Sequence, residues 1–279
     1  MVFGGLPPVR CIEKVKPERD PQTRDALRVR WWQYAEKRPG LYGAVQELER
    51  VVVISRVNAH FSFSFLPTGR VFSEQLIVEA VETFGWFALL QSRAHEVWAR
   101  FFASSLEDRL RYTSSDCFET FPLPGDAMEL FSLDSAGRTC HDTRTEMMQA
   151  ANQGMTVLYN RFNNPDDQET DIRHLRDLHA AMDQAVLAAY GWRDLYPVAI
   201  HEREWEADEG ERPGPWRLRW PEADRDEVLA RLLDLNRRRH REEAAASVAL
   251  LEPPRSRRRH GTTAELQASL PIGQVQGLI

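Results

Sequence analysis

Apolar residues change their spacing several times along this chain, and each change marks a different kind of element. VVVISRV (Val51 to Val57) is a β-branched run of strand length. HFSFSFLP (His60 to Pro67) alternates instead, placing Phe61, Phe63 and Phe65 on one face and Ser62 and Ser64 on the other. Thr68-Gly69 reads as a turn, and RVFSE and QLIVEAV (70–81) as further strands, so residues 51–81 predict a twisted antiparallel meander with one apolar face. From Thr83 the spacing becomes helical: Phe87, Leu90, Ala94, Val97 and Phe101 form one stripe. His95 on that helix is read as a satisfied or solvent-facing side chain. FETFPLP (118–124) returns to a strand, which Pro122 and Pro124 confine to an edge or an end.

Beyond it the chain is polar through Gly125 and Gly137 and then helical. Ile172, Leu175, Leu178, Met182, Val186 and Ala189 make a long amphipathic helix that Gly191 ends. Asp166, Asp167, Glu169 and Asp171 gather at its start, where the helix dipole favours anions. HEREWEADEGERPGPWRLRW (201–220) is a charged loop closing on a strand-like piece, and Val228, Leu229, Leu232, Leu233 and Leu235 form one more helix. Near the N-terminus, Trp31, Trp32 and Tyr34 are packing aromatics, and Pro39-Gly40 precedes a short helix from Leu41 to Leu48. The pattern predicts an α+β fold: a small twisted antiparallel sheet packed on a helix, then a mainly helical C-terminal part. Four regions result: a lead-in segment (1–50), a sheet-and-helix domain (51–124), a helical domain (125–250) and a disordered tail (251–279).

Charge sharpens the division. Residues 1–124 carry 16 Lys+Arg against 15 Asp+Glu, whereas residues 125–279 carry 20 against 27, for an overall −6. An acidic total excludes a nonspecific polycation but leaves room for a local basic surface. No apolar run reaches membrane-spanning length and no signal-peptide pattern is present, so the cytoplasm is the default expectation. Cys11, Cys117 and Cys140 are odd in number and far apart, offering neither a disulfide framework nor a zinc pair.

Catalytic patterns are missing too. Phe3-Gly4-Gly5 follows no strand, as a methyl-donor site would need, and Asn164-Pro165-Asp166 lacks the second proline and the aromatic of a base-gripping loop. A restriction-type nuclease places Glu two residues before Lys; Ile12, Lys14 and Ala35 stand there for the three lysines, Lys14, Lys16 and Lys37. No Walker loop, G-x-S-x-G or G-x-G-x-x-G occurs.

Five segments, read in order, resemble a known family: CIEKVKPERD (11–20), RWWQYAEKRPGLY (30–42), VISRVNAHFSFSFLPTGRVFSEQL (53–76), ALLQSRAHEVWARFFASSLEDRLRYTSSDCFETFPLP (88–124) and HAAMDQAVLAAYGW (179–192). They are similar to the C-terminal target-recognition and spacer region of fused type II restriction–modification adenine-specific DNA methyltransferases, and to related phage-defence methyltransferases. The resemblance runs from about residue 11 to 248. It implies that 51–124 is a target recognition domain and 125–250 a spacer. It implies double-stranded DNA as partner, and a parent activity of S-adenosylmethionine-dependent N6-adenine methylation. With nuclease and methyltransferase motifs absent, Met1 is expected to open a fragment, a split gene or a frameshifted remnant. This chain is then expected to bind no cofactor or metal and to serve a separate methyltransferase/nuclease polypeptide, with no membrane association.

Two runs are the expected DNA contacts. Arg109 and Arg111 can neutralise phosphates or fork onto a guanine edge, and Tyr112, Thr113, Ser114 and Ser115 can bond phosphate oxygens. Arg56, Asn58 and His60 form a second set, Asn suited to adenine and Arg to guanine. Arg70 at the next turn is a further candidate. The alternative is a protein-interaction remnant that binds no DNA and docks on other subunits through Trp31, Trp32 and the C-terminal helices; an unrecognised hydrolase is a third.

Overall fold

The computed structural model describes residues 9–33, 37–106, 109–125, 131–205 and 213–251. The expected tail and the Phe3-Gly4-Gly5 stretch lie outside them, as does Tyr34. By their contacts the residues form two compact units that divide between Glu47 and Leu48. The first carries four short helices, α1 (Val9–Lys14), α2 (Lys16–Arg19), α3 (Asp25–Val29) and α4 (Pro39–Ala44). Helix α4 begins two residues before the expected Leu41 and stops short of Leu48. Pro39 sits in its first turn, where a missing N–H costs nothing. Trp31 and Trp32 meet edge to face with ring centroids 5.8 Å apart.

In the second unit, β1 (Arg50–Ser55) is buried along Val51–Ile54 because it is a central strand. Antiparallel partners flank it on both sides, β3 (Ser64–Pro67) and β4 (Leu76–Glu79). The order β3-β1-β4 replaces the expected meander, and RVFSE forms no strand. A second sheet, absent from the pattern reading, is ordered β2 (Val57–Asn58), β6 (Arg109–Arg111), β5 (Ser104–Leu106).

Phe61 and Phe63 are buried as their alternation predicts, yet no neighbouring strand holds them. The Gln91 amide takes that place: its Oε1 accepts from Phe63 N at 2.9 Å and its Nε2 donates to Phe61 O at 2.9 Å. Arg144, itself buried, adds a bond from Nη2 to Phe63 O at 2.8 Å.

The stripe from Phe87 to Phe101 divides into two helices, α5 (Phe84–Gln91) and α6 (Arg93–Phe102). Thr83, where the helical spacing was expected to begin, caps the first, its side chain accepting from Trp86 N. Ser92 breaks the run by donating to Leu89 O at 2.7 Å and accepting from His95 N, so that α6 has its own cap. FETFPLP is not a strand. Residues Ser114–Phe118 form a π-helical turn, and Phe121 N then bonds Phe118 O.

The segment read as polar contains two helices, α7 (Asp134–Ala150) and α8 (Met155–Asn163). Helix α7 crosses α5 so closely that a Cβ at Gly137 would lie 2.1 Å from Phe84 O. Helix α9 (Thr170–Ala189) is the expected amphipathic one, closed by Gly191 at φ +78°. Two of the acidic residues at its start are bound structurally: Arg161 pairs with Asp167 at 2.9 Å and with Asp171 at 3.2 Å. A hairpin, β7 (Ile200–Trp205) and β8 (Pro213–Arg219), and the long α10 (Glu222–Leu251) complete the unit. One core contains Val52, Phe63, Trp98 and Tyr112 together with Met182, Val186, Trp220 and Leu232, so it runs through residue 124 without a break. The architecture is mixed α and β, with small antiparallel sheets and a mainly helical C-terminal part.

Candidate nucleic-acid interface

The second sheet joins the two candidate runs. Strand β2 pairs with β6 in the register Val57 with Arg111 and Asn58 with Leu110. The Tyr112 N–H then donates to Arg56 O at 2.9 Å. Side chains alternate along β6: Leu110 and Tyr112 are buried, and Arg111 between them is exposed. Arg56 and Asn58 are half-buried. Asn58 Nδ2 donates to Ser55 O at 2.8 Å, while Asn58 Oδ1 and Arg56 Nε are buried and have no hydrogen-bond partner. The Arg109 side chain lies outside the described residues.

The π-helical turn follows directly. The Thr113 hydroxyl donates to Asp116 Oδ2 at 2.8 Å and that of Ser115 to Asp116 Oδ1 at 3.2 Å, so both hydroxyls are tied to one carboxylate. The Asp116 carbonyl accepts from Thr120 Oγ1 at 2.5 Å, and Thr120 Oγ1 in turn accepts from Trp98 Nε1 at 3.1 Å. Ser114 turns the other way and donates to the carboxylate of Glu79, a buried residue of β4. Burial pushes the Glu79 carboxyl up to about 7 against the opposing pull of that hydroxyl, and Glu119 raises it further. Glu79 escaped the sequence reading because a single acid inside an apolar strand carries no spacing signal.

Two candidates prove to be interior. Tyr112 is fully buried, with its hydroxyl 3.3 Å from His95 Nε2, and is not available to a phosphate. His95 is buried as well; its Nδ1 lies 2.8 Å from Leu90 O, and its Nε2 lies 3.2 Å from Cys117 O and 3.3 Å from the Tyr112 hydroxyl. Burial lowers the imidazole to about 4 and keeps it neutral. His60, expected at an open turn, is 8% exposed; its ring bonds Asn160 Oδ1 at 2.9 Å and stacks on Tyr159 of α8. Burial depresses its pKa too. Arg70 is exposed on the loop after β3, part of the first sheet rather than the second.

Several arginines elsewhere in this unit are ion-paired instead. Arg93 is bound to Asp183 at 2.5 Å inside the core. A cleft of about 310 Å³ is lined by Arg93, Arg100, Arg219 and Arg225, with Glu96 and Asp226 among the other wall residues. Arg100 bonds Glu96 at 2.8 Å, Arg219 bonds Glu204 at 2.6 Å and Arg225 bonds Glu202. These guanidinium groups are already neutralised, so the cleft is a cross-link between α6, the hairpin and α10 and not an anion site. Among the described residues, Arg56 and Arg111 have no carboxylate partner at all. No group of three or more His, Cys, Asp or Glu among the described residues could hold a metal ion, and no described helix is long and apolar enough to cross a membrane.

Residues 5–125 match the family model described as "MmeI, target recognition domain", a span that contains all ten candidate residues. The resemblance read from the sequence therefore holds for this region. A solved structure of the type IIL restriction-modification enzyme MmeI in complex with DNA has the same fold. Its TM-score is 0.57 and its identity 17% over 82% of this chain, which spans 26% of that chain's length. No curated protein matches the chain significantly.

Proposed function

We propose that this chain reads DNA sequence for a restriction–modification enzyme, with the sheet β2-β6-β5 and the adjoining π-helical turn facing the duplex. One observation carries the reading. Two runs some fifty residues apart are paired in one small sheet, and Arg56 and Arg111, one from each, have no carboxylate partner among the described residues. Arg93, Arg100, Arg219 and Arg225 in the same unit are instead ion-paired. A buried polar atom without a partner costs about 1–3 kcal/mol, and Arg56 Nε and Asn58 Oδ1 are two such atoms, on residues two apart in the chain. A base edge supplies the missing partners, guanine for the arginine and adenine for the asparagine. Arg111, exposed beside them, and Arg109 serve phosphate or a guanine edge, and the hydroxyls of Thr113, Ser114 and Ser115 border the backbone.

The parent activity is methyl transfer from S-adenosylmethionine to the adenine N6 amino group, performed by a methyltransferase polypeptide outside this sequence. Residues 51–124 supply recognition, and residues 125–250 support them as a spacer sharing the same core. The match to a target recognition domain supports the DNA-reading role. Selection from a random duplex pool, repeated across a salt series, tests it. A reader enriches one short motif and loses affinity steeply with salt. Recovery of an unenriched pool, with no retention at low salt, rules the reading out in favour of a protein-docking remnant.

A further inference from the structure

Helix α10 changes character at Asn236. Before that residue its arginines are ion-paired: Arg225 with Glu202, and Arg231 with Asp194 at 2.6 Å and Glu227 at 2.7 Å. After it comes Arg237-Arg238-Arg239-His240-Arg241. Arg237, Arg238, His240 and Arg241 are exposed, and Arg238 alone has a carboxylate, Asp234, at 3.5 Å. Arg237 and Arg241 stand four residues apart on one side of the helix, where like charges repel. Neither is ion-paired among the described residues. Arg239 is half-buried on the side of Tyr190.

The position of this run is fixed by its neighbour. Asn236 Nδ2 donates to Thr120 O at 2.8 Å. Thr120 Oγ1 donates to Asp116 O, and the Asp116 carboxylate accepts from Thr113 and Ser115. Three links therefore tie the start of the basic run to the turn assigned to the duplex above. Val228 and Leu232, both buried, anchor the preceding turns, so the basic face is held on a rigid element.

We propose that Arg237 and Arg241 form a second phosphate-binding surface for the same duplex, extending its footprint from the recognition sheet onto α10. The inference rests on the DNA-reading function proposed above. Its partner is the sugar–phosphate backbone, contacted by charge without regard to base identity.

The test uses the full chain and the motif selected from the duplex pool. R237A/R241A should bind that motif more weakly and every other duplex proportionately so, with the preferred sequence unchanged. Two lost phosphate contacts lower the magnitude of the slope of log K against log salt by about 2, so the variant loses about tenfold less affinity than the parent between 50 and 200 mM salt. R237E/R241E should be weaker still, and a circular dichroism spectrum like the parent's shows that the helix survives. Unchanged affinity and slope in both variants would overturn the proposal. So would an altered preferred sequence, or loss of binding to anionic phospholipid vesicles while duplex binding persists. A parent chain that retains no duplex sinks the DNA-reading function itself, and this surface with it, before any variant is made.

Discussion

The Ser114 hydroxyl lies 3.0 Å from one carboxylate oxygen of Glu79 and 3.1 Å from the other. Among the described residues, the titratable groups coupled to Glu79 are Glu119, Tyr112 and Cys117, none of them basic. A carboxylate is thus held in the interior by one hydroxyl, at the point where the sheet hands over to the π-helical turn.

Stability should fall as pH rises. The folded-state pKa of Glu79 is raised from 4.5 to about 7, so between those values the folded state keeps a proton that the unfolded state has released. Stability is therefore lost through this window and levels off above it, by on the order of 2–3 kcal/mol. E79Q, which keeps the hydrogen bond but cannot ionise, should be more stable than the parent at pH 8 and show a flatter dependence. Urea denaturation at pH 5, 6, 7 and 8 measures both curves; parallel curves would exclude the assignment.

R56A and R111A should each weaken duplex binding. A phosphate contact reduces affinity evenly across sequences and takes about 1 from the salt slope, whereas a base contact relaxes preference at one position by about 1–3 kcal/mol. Arg56, half-buried with an unpaired Nε, is expected to behave as the base reader and Arg111 as the phosphate contact. Competition binding with single-base variants of the selected motif separates them. Parent-like binding by both variants removes the site.

Y112F should leave DNA affinity untouched and cost about 1 kcal/mol of stability, the worth of a buried hydrogen bond. Its hydroxyl faces His95 in the core. A large loss of affinity with no change in the unfolding midpoint would return Tyr112 to the interface.

G137A should destabilise strongly. The added methyl would sit 2.1 Å from Phe84 O, and α5 and α7 would have to separate to admit it. Overpacking of a filled core costs about 1–3 kcal/mol, and backbone has less room to yield than a side chain. A midpoint of chemical denaturation within error of the parent's would contradict the close crossing.

Local signals carried much of this fold. The β-branched run of β1, the helix start at Thr83 and the 3.6-residue stripe of α9 depend on neighbours in sequence, and all three stand where the pattern puts them. What failed depends on distant partners. Strand β2 is two residues long and exists because β6 lies beside it. Helix α7 turns Gly137, Cys140 and Arg144 inward, so its buried face carries almost no hydrophobic signal. Tyr112 was misplaced because its neighbours are polar, although the alternation of Leu110, Arg111 and Tyr112 already pointed it inward. In the candidate site, Arg56, Asn58 and Arg111 are candidates by residue type alone, and the pairing of their runs was not legible.

Gln91 and Arg144, reaching across to the main chain of Phe61 and Phe63, set a rule for transplanting specificity between proteins of this kind. A graft limited to residues 51–124 would carry Gln91 but leave the Phe63 carbonyl without Arg144. Cutting after residue 124 parts the Phe61–Phe63 segment from Arg144, so a working exchange has to carry helix α7 as cargo.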